Sequence, residues 1–298
     1  MQKSTIGIVY AGIAGLSWGS MAVAAQYLFE NFSFTSSDLV CARLFGAGLV
    51  ILLLELCRGV NIFRVGGGRN WCDLVIYGFA LLFVQYSFFE AIRYTNAGTA
   101  AVVVAVGPAL VLLYMRVVEN YAMSFCELGC VVLCFVGVSL LGTKGDLDSL
   151  KLSLVGLAWA LASTASGSFA TLFCRHLIVR VGVLKSVGWA TTISGACMCA
   201  LYEPWSSNVL WTPMSSVCYV YVFLVGTVVA FCCFLQSLKF ITANVASLVG
   251  CLEPLSGLVL SVALLGVAYG FSEIVGASLI LAGVIWLSWS KAYTGSRD

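Results

Sequence analysis

The sequence predicts an all-α polytopic membrane protein, with ten transmembrane helices in two inverted five-helix repeats. Three observations carry this. Charged residues are 9% of the chain and hydrophobic residues 61%, against about 25% charged residues in ordinary soluble proteins. So little polar surface cannot cover a soluble fold. Ten apolar segments are each long enough to cross a hydrocarbon core of roughly 30 Å. One stretch also occurs twice: Phe88–Leu141, slid forward by a constant offset, falls on Phe234–Leu287 without a gap.

The ten segments run near Gly7–Leu28, Ser37–Leu56, Cys72–Ile92, Ala97–Val117, Phe125–Leu141, Leu154–Leu172, Val183–Leu201, Val217–Leu238, Ala243–Leu265 and Phe271–Leu287. The first follows only Lys3 and is longer than a typical leader's apolar core, so it reads as the first span. The second carries Arg43. The third ends on Glu90 and Arg93, placed for an interfacial ion pair. The fourth and ninth each carry a mid-span proline, Pro108 and Pro254. Proline removes a backbone donor and clashes with the carbonyl four residues earlier, which predicts matched kinks with carbonyls freed at Val104 and Gly250. Short connections leave no room for a soluble domain. The expected division is a first repeat at 1–142, a polar linker at 143–152 and a second repeat at 153–298.

In the duplicated stretch Pro108 lands on Pro254, Glu127 on Glu273, Phe125 on Phe271 and Gly137-Val138 on Gly283-Val284. About a dozen positions are identical, where so apolar a composition gives roughly four or five by chance. Spans one and two match six and seven only weakly; Gly15-x-x-Trp18 is similar to Gly156-x-x-Trp159.

Basic residues set the expected orientation. With the N-terminus in the cytoplasm, that side holds Lys3, Arg58, Arg64, Arg69, Arg116, Arg175, Arg180, Lys185, Lys239, Lys291 and Arg297. The other holds Arg93, Lys144 and Lys151. Both termini are therefore expected in the cytoplasm. Five spans per half is an odd number, so the second half enters upside down, with its pseudo-two-fold axis in the membrane plane.

The charge within spans is the informative chemistry. Glu253 lies about ten residues into the ninth span, about 15 Å deep at 1.5 Å per residue. A carboxylate near the bilayer midplane normally faces a cavity or a partner. It reads as a contact for a solute amine, as a proton-coupling group, or as a carboxyl bonded to backbone freed by Pro254. Arg43, nearer the outer face, could bind a solute carboxylate, pair with Glu253 or Glu90, or snorkel to the interface. Trp18, Gln85, Tyr86, Tyr114, Trp159, Ser163, Ser166, Gln236 and Asn244 are further candidates for a cavity wall, since buried amides need partners and aromatic walls suit an amphiphilic solute.

Several motifs resemble the drug/metabolite transporter superfamily, and within it the EamA-type transporters. They are Leu16-Ser17-Trp18-Gly19, Ala42-Arg43-Leu44-Phe45, the link Ala91–Ala97 with its counterpart Leu238–Ala243, Leu252-Glu253-Pro254-Leu255, and Glu119 closing the fourth span. The resemblance implies ten helices around a central cavity that moves small organic solutes, often outward. Two departures stand out. Gly107-Pro108 takes the place that Glu253-Pro254 has in the second half, and Leu265-Gly266-Val267 lacks a closing acid.

Other classes fit poorly. There is no basic tract for nucleic acid and no metal-ligand spacing. Thirteen cysteines, mostly within apolar runs, do not form a secreted disulfide framework. The lone His176 sits in a basic connection, and Gly66-Gly67-Gly68 lacks the Lys-Ser/Thr of a phosphate loop. No cofactor is implied. The expected partners are the lipid bilayer and a small solute, with protons or the solute's own gradient as the drive. The reading is a secondary transporter of the inner (plasma) membrane that exports or exchanges an amino acid or related metabolite by alternating access. The alternatives are an uptake carrier of the same fold, an intramembrane enzyme or a structural membrane protein. Oligomeric state has no legible signal.

Overall fold

A computed structural model describes residues 2–143, 150–241 and 243–294; side chains at 2–3, 142–143, 150–153, 175, 206, 243–244, 247 and 290–294 are not described. Residues 144–149 of the linker expected at 143–152 fall outside the described residues, whereas 143 and 150–152 are helical.

Among the described residues every regular element is helical. The first span is α1 (Gln2–Asn31). The second is α2 (Ser36–Cys41), a π-helix (Ala42–Gly46) and α3 (Ala47–Cys57). The third is α4 (Gly68–Tyr94). The fourth is broken into α5 (Ala97–Val104) and α6 (Gly107–Val118), and α7 (Phe125–Thr143) closes the first half. The second half runs α8 (Leu150–Val181), α9 (Val183–Tyr202), α10 (Pro213–Phe223), a second π-helix (Leu224–Val229), α11 (Ala230–Ser237), α12 (Ala243–Gly250), α13 (Leu252–Leu265) and α14 (Phe271–Thr294).

All ten predicted segments fall on helices, and among the described residues eight helices are long and apolar enough to cross a membrane. The other two differ for physical reasons. Phe125–Leu141 is apolar but short. Val183–Tyr202 is long enough but carries Lys185, Ser186, Thr191, Thr192 and Ser194. Its hydroxyls donate one turn back: Ser186 to Gly182 O at 2.7 Å, Thr191 to Val187 O at 2.7 Å and Ser194 to Ala190 O at 2.8 Å. Each is satisfied within the helix, as an apolar surround requires. His176 is exposed, but on the extended end of α8 rather than in a loop.

The duplication is visible in three dimensions. The pieces α5 and α12 begin and end at matching positions, and both breaks precede the matched prolines. Helix packing has the same symmetry. Contact of α4 with α8 is mirrored by α11 with α1, and α1 with α13 by α8 with α6; α7 and α14 pack on each other. At that last crossing a Cβ on Gly137 would lie 2.6 Å from Gly276 O, and one on its mate Gly283 would lie 3.1 Å from Cys130 O. Cys130 is itself the mate of Gly276, so the contact is reciprocal, as a two-fold axis demands. Gly7 faces Phe240 and Ile241; Gly156 faces their mates Tyr94 and Thr95. Gly156 therefore corresponds to Gly7, not to Gly15 as the letters suggested.

Glu127 and Glu273 begin α7 and α14 alike. Glu127 accepts from Ser124 N at 2.9 Å and Glu273 from Gly270 N at 2.8 Å. Carboxylates there satisfy N-terminal donors and complement the helix dipole. At one end of the bundle Leu210 N donates to Phe32 O at 3.1 Å and Tyr269 OH to Asn96 Oδ1 at 2.8 Å. At the other, Lys185 Nζ donates to Arg64 O at 3.3 Å and Trp189 Nε1 to Ile62 O at 2.9 Å.

Candidate functional site

The site is organised by Arg43. It sits in the first π-helix, 2% exposed. Its Nε donates to Thr227 Oγ1 at 2.8 Å, Nη1 to Gln85 Oε1 at 2.9 Å and Nη2 to Gly226 O at 3.5 Å. Its Cζ lies 5.2 Å from the centroid of the Phe89 ring, within cation–π range. Thr227 and Gly226 belong to the second π-helix. π-helical turns are rare and concentrate at functional positions; here one guanidinium bonds across from one to the other. Arg43 does not snorkel to the interface. Nor does it pair with Glu90, which holds Arg93 at 2.9 Å.

Arg43 lines a cavity of about 320 Å³ between the two halves. Its wall takes Trp18 and Met21 from α1, and Tyr77, Gln85 and Phe88 from α4. Ser163, Thr171 and Cys174 come from α8, Phe231 from α11 and Glu253 from α13. Trp18 is fixed edge-on to Phe231, with ring centroids 5.6 Å apart, and tilted against Phe234 at 5.5 Å. A second cavity of about 230 Å³ lies against the two helix breaks and is lined by Pro108, Phe234, Glu253 and Pro254 among others. Val104 and Glu253 line both cavities.

Glu253 stands in the first turn of α13. The break ahead of it creates a helix N-terminus inside the bilayer, and a carboxylate there meets the positive end of the dipole. Its side chain is part-exposed, toward the cavities it lines. Glu253 and Arg43 lie within electrostatic reach of each other, yet no ion pair shorter than 4.0 Å joins them. Both ionisable groups thus face the same space without pairing directly.

Small residues of α1 let α13 approach. A Cβ at Gly15 would lie 3.3 Å from Glu253 N, and one at Gly19 would collide with Ser256 Oγ and Glu253 O. The Gly15-x-x-x-Gly19 pair is therefore used within the chain, against the segment that carries Glu253.

The predicted residues divide. Trp18, Arg43, Gln85 and Glu253 meet at the first cavity, and Pro108 and Pro254 at the second. Tyr86 and Trp159 instead pack on each other beside it, edge-on at 5.9 Å. Tyr86 is one residue off the α4 stripe of Tyr77, Gln85 and Phe88, which turns it about 100° away. Ser166 misses the α8 stripe; Ser163 takes that place and donates to Val84 O at 2.9 Å. Tyr114, 45% exposed, points outward from α6. Gln236 lines a different cleft at the bundle end. The side chain of Asn244 lies outside the described residues. Sequence reasoning missed Tyr77, Phe88, Thr227 and Phe231. A 3.6-residue stripe through 227, 231 and 234 in the eighth span was the signal available for the last two.

An inverted repeat of broken helices around a charged cavity between its halves is the architecture of a membrane transporter. The profile of the EamA-like transporter family matches residues 5–143 and 154–289, one match per half. The chain belongs to this family. It is 30% identical over 97% of its length to an uncharacterized inner membrane transporter, YicL, of Salmonella typhimurium, and spans 97% of that protein. It is 23% identical to the uncharacterized transporter YxxF of Bacillus subtilis, over 95% of this chain and 89% of that one. A solved crystal structure superposes with a TM-score of 0.65 over 98% of both chains at 18% identity, a likeness of fold.

Proposed function

We propose that this protein is a secondary transporter of the inner (plasma) membrane that exports or exchanges a small organic acid-bearing solute, an amino acid or a related metabolite, by alternating access. One observation carries the reading. Arg43 and Glu253, from opposite halves, face one cavity without an ion pair, beside helix breaks in both halves. A buried arginine with three neutral hydrogen-bond partners keeps its charge for a ligand, and its planar fork suits a carboxylate. Trp18, Phe88 and Phe231 supply an apolar wall for the rest of the solute. Rocking of one half against the other about the breaks at Pro108 and Pro254 would open the cavity to each side in turn. The surplus of basic residues around Arg58, Arg64, Lys185 and Lys239 supports ten spans with both termini in the cytoplasm.

The test is flux in liposomes containing the purified protein. A panel of labelled amino acids, amines, nucleotides and sugars is offered under an outward gradient. The proposal expects gradient-dependent movement of at least one carboxylate-bearing solute. Folded protein that moves none of them contradicts it.

A further inference from the structure

A separate cleft of about 320 Å³ lies at the end of the bundle where α3, α9 and α11 meet the start of α1, lined by Tyr10, Leu54, Arg58, Leu184, Gln236 and Lys239 among others. We propose that this cleft binds the headgroup of an anionic phospholipid and that the lipid ties the two half-bundles together there. Arg58 ends α3 in the first half, and Lys239 follows α11 in the second, so a phosphate between them is held by both. Arg58 has spare donors: Glu55 takes one at 3.4 Å, and the arginine side chain remains 61% exposed. A guanidinium carries five. The Gln236 amide adds a neutral donor to the same wall.

The rest of the cleft is amphipathic in the sense a lipid needs. Below the cations its wall is aliphatic, with Ile51, Leu54, Leu184 and Leu235. That wall continues onto the lipid-facing side of α3, where Leu53, Leu54 and Leu56 are 57%, 41% and 52% exposed. A headgroup seated on the cations can therefore leave its acyl chains on a surface that already faces lipid. A soluble anion would use only the upper part. Basic clefts between transmembrane helices at a membrane face are a recurrent way of binding anionic headgroups. The proposal does not depend on the transport reading, since the cleft shares no residue with the Arg43 cavity.

The experiment uses full-length protein in phosphatidylcholine nanodiscs with small amounts of spin-labelled phosphatidylglycerol or spin-labelled phosphatidylcholine. Wild type is expected to immobilise the phosphatidylglycerol selectively. An Arg58→Gln, Lys239→Gln double variant should lose that selectivity, about twenty-five-fold in affinity, at roughly fivefold per cation near an anionic headgroup. An Arg58→Lys, Lys239→Arg variant keeps both charges and should keep the selectivity, which separates charge from misfolding. Arg116→Gln, an exposed cation on α6, should leave it unchanged. Wild type without selectivity, or a double glutamine variant that retains it, overturns the proposal. So does inorganic phosphate that displaces the labelled lipid completely and raises the melting temperature as far as phosphatidylglycerol does, because the cleft would then hold a free anion.

Discussion

Arg43 Nε donates to Thr227 Oγ1 at 2.8 Å, and that bond joins the π-helix of the second span to the π-helix of the eighth. The two residues belong to opposite halves of the inverted repeat. The cation in the cavity is therefore positioned by both halves. A relative movement of the halves would break or re-aim the bond, and in the proposed mechanism would alter the charge that a solute meets.

Thr227→Val keeps shape but removes the oxygen that accepts from Arg43. It also removes the hydroxyl bond to Val222 O at 3.3 Å. Leaving a buried donor unpaired costs on the order of 1–3 kcal/mol, and more when the donor is charged. The expected result is a lower melting temperature in detergent and weaker solute affinity, both recovered by Thr227→Ser. A Val variant as stable and as active as wild type would show that the bond positions nothing.

Glu253→Gln preserves volume and removes the ionisable group. The carboxyl lines both cavities, so the protein should fold normally while transport loses its dependence on pH. Measured flux of the variant across pH 5–9 is expected to be flat, the window around which proton-coupled carboxylates and solute amines act. If the variant retains the wild-type rate and the wild-type pH profile, Glu253 has no part in the mechanism.

Gly19 and Gly12 lie on the same face of α1 and should respond differently to alanine. A Cβ at Gly19 meets Ser256 Oγ and Glu253 O, whereas one at Gly12 lies 3.6 Å from its nearest neighbour, Leu252 Cδ1. Overpacking at a close helix crossing costs about 1–3 kcal/mol. Gly19→Ala should therefore reduce thermal stability and displace Glu253, while Gly12→Ala is near neutral. Equal stabilities would contradict the crossing described.

Tyr269, in the connection between α13 and α14, donates to Asn96 Oδ1 at 2.8 Å and shares a hydrogen bond of 2.8 Å with Ser261. Asn96 caps α5 by accepting from Thr99 N at 2.8 Å, so the phenol braces the start of the broken fourth span. Burial pushes the phenol above the ordinary tyrosine range; the Glu273 carboxylate adds to the rise and the Ser261 bond opposes it. A group with a raised folded-state pKa contributes stability that is full below the unfolded value, about 10, and is lost as pH rises through the folded one. Wild type should therefore lose stability above about pH 10, and Tyr269→Phe should lack that component while starting about 1 kcal/mol less stable. Parallel melting curves for the two proteins from pH 8 to 11 would rule out this role.

Much of the fold was legible because a bilayer imposes a length and an apolar composition that letters carry directly. The duplication was legible as letters too, though the reason Glu127 and Glu273 recur, capping α7 and α14, needed coordinates. The π-helices were not legible. Each is a slight widening of a helical turn with no residue signature of its own, and the first one turns Arg43 inward from a depth at which snorkelling was equally reasonable. Thr227 was missed because it is remote in sequence and ordinary as a residue. Tyr86 and Ser166 were misplaced because their distance from the true cavity stripe is only a residue or a turn, and the phase of a span apolar on all sides cannot be read from its composition.

We propose that Arg43 binds the solute carboxylate in the cavity between the halves. Counterflow in proteoliposomes tests it, comparing the best solute with its uncharged carboxamide analogue in wild type and in Arg43→Gln. Wild type is expected to prefer the carboxylate by about tenfold or more, the worth of one charge-assisted hydrogen bond, and Arg43→Gln to abolish the preference while still folding. An Arg43→Gln protein that keeps the wild-type preference would contradict it.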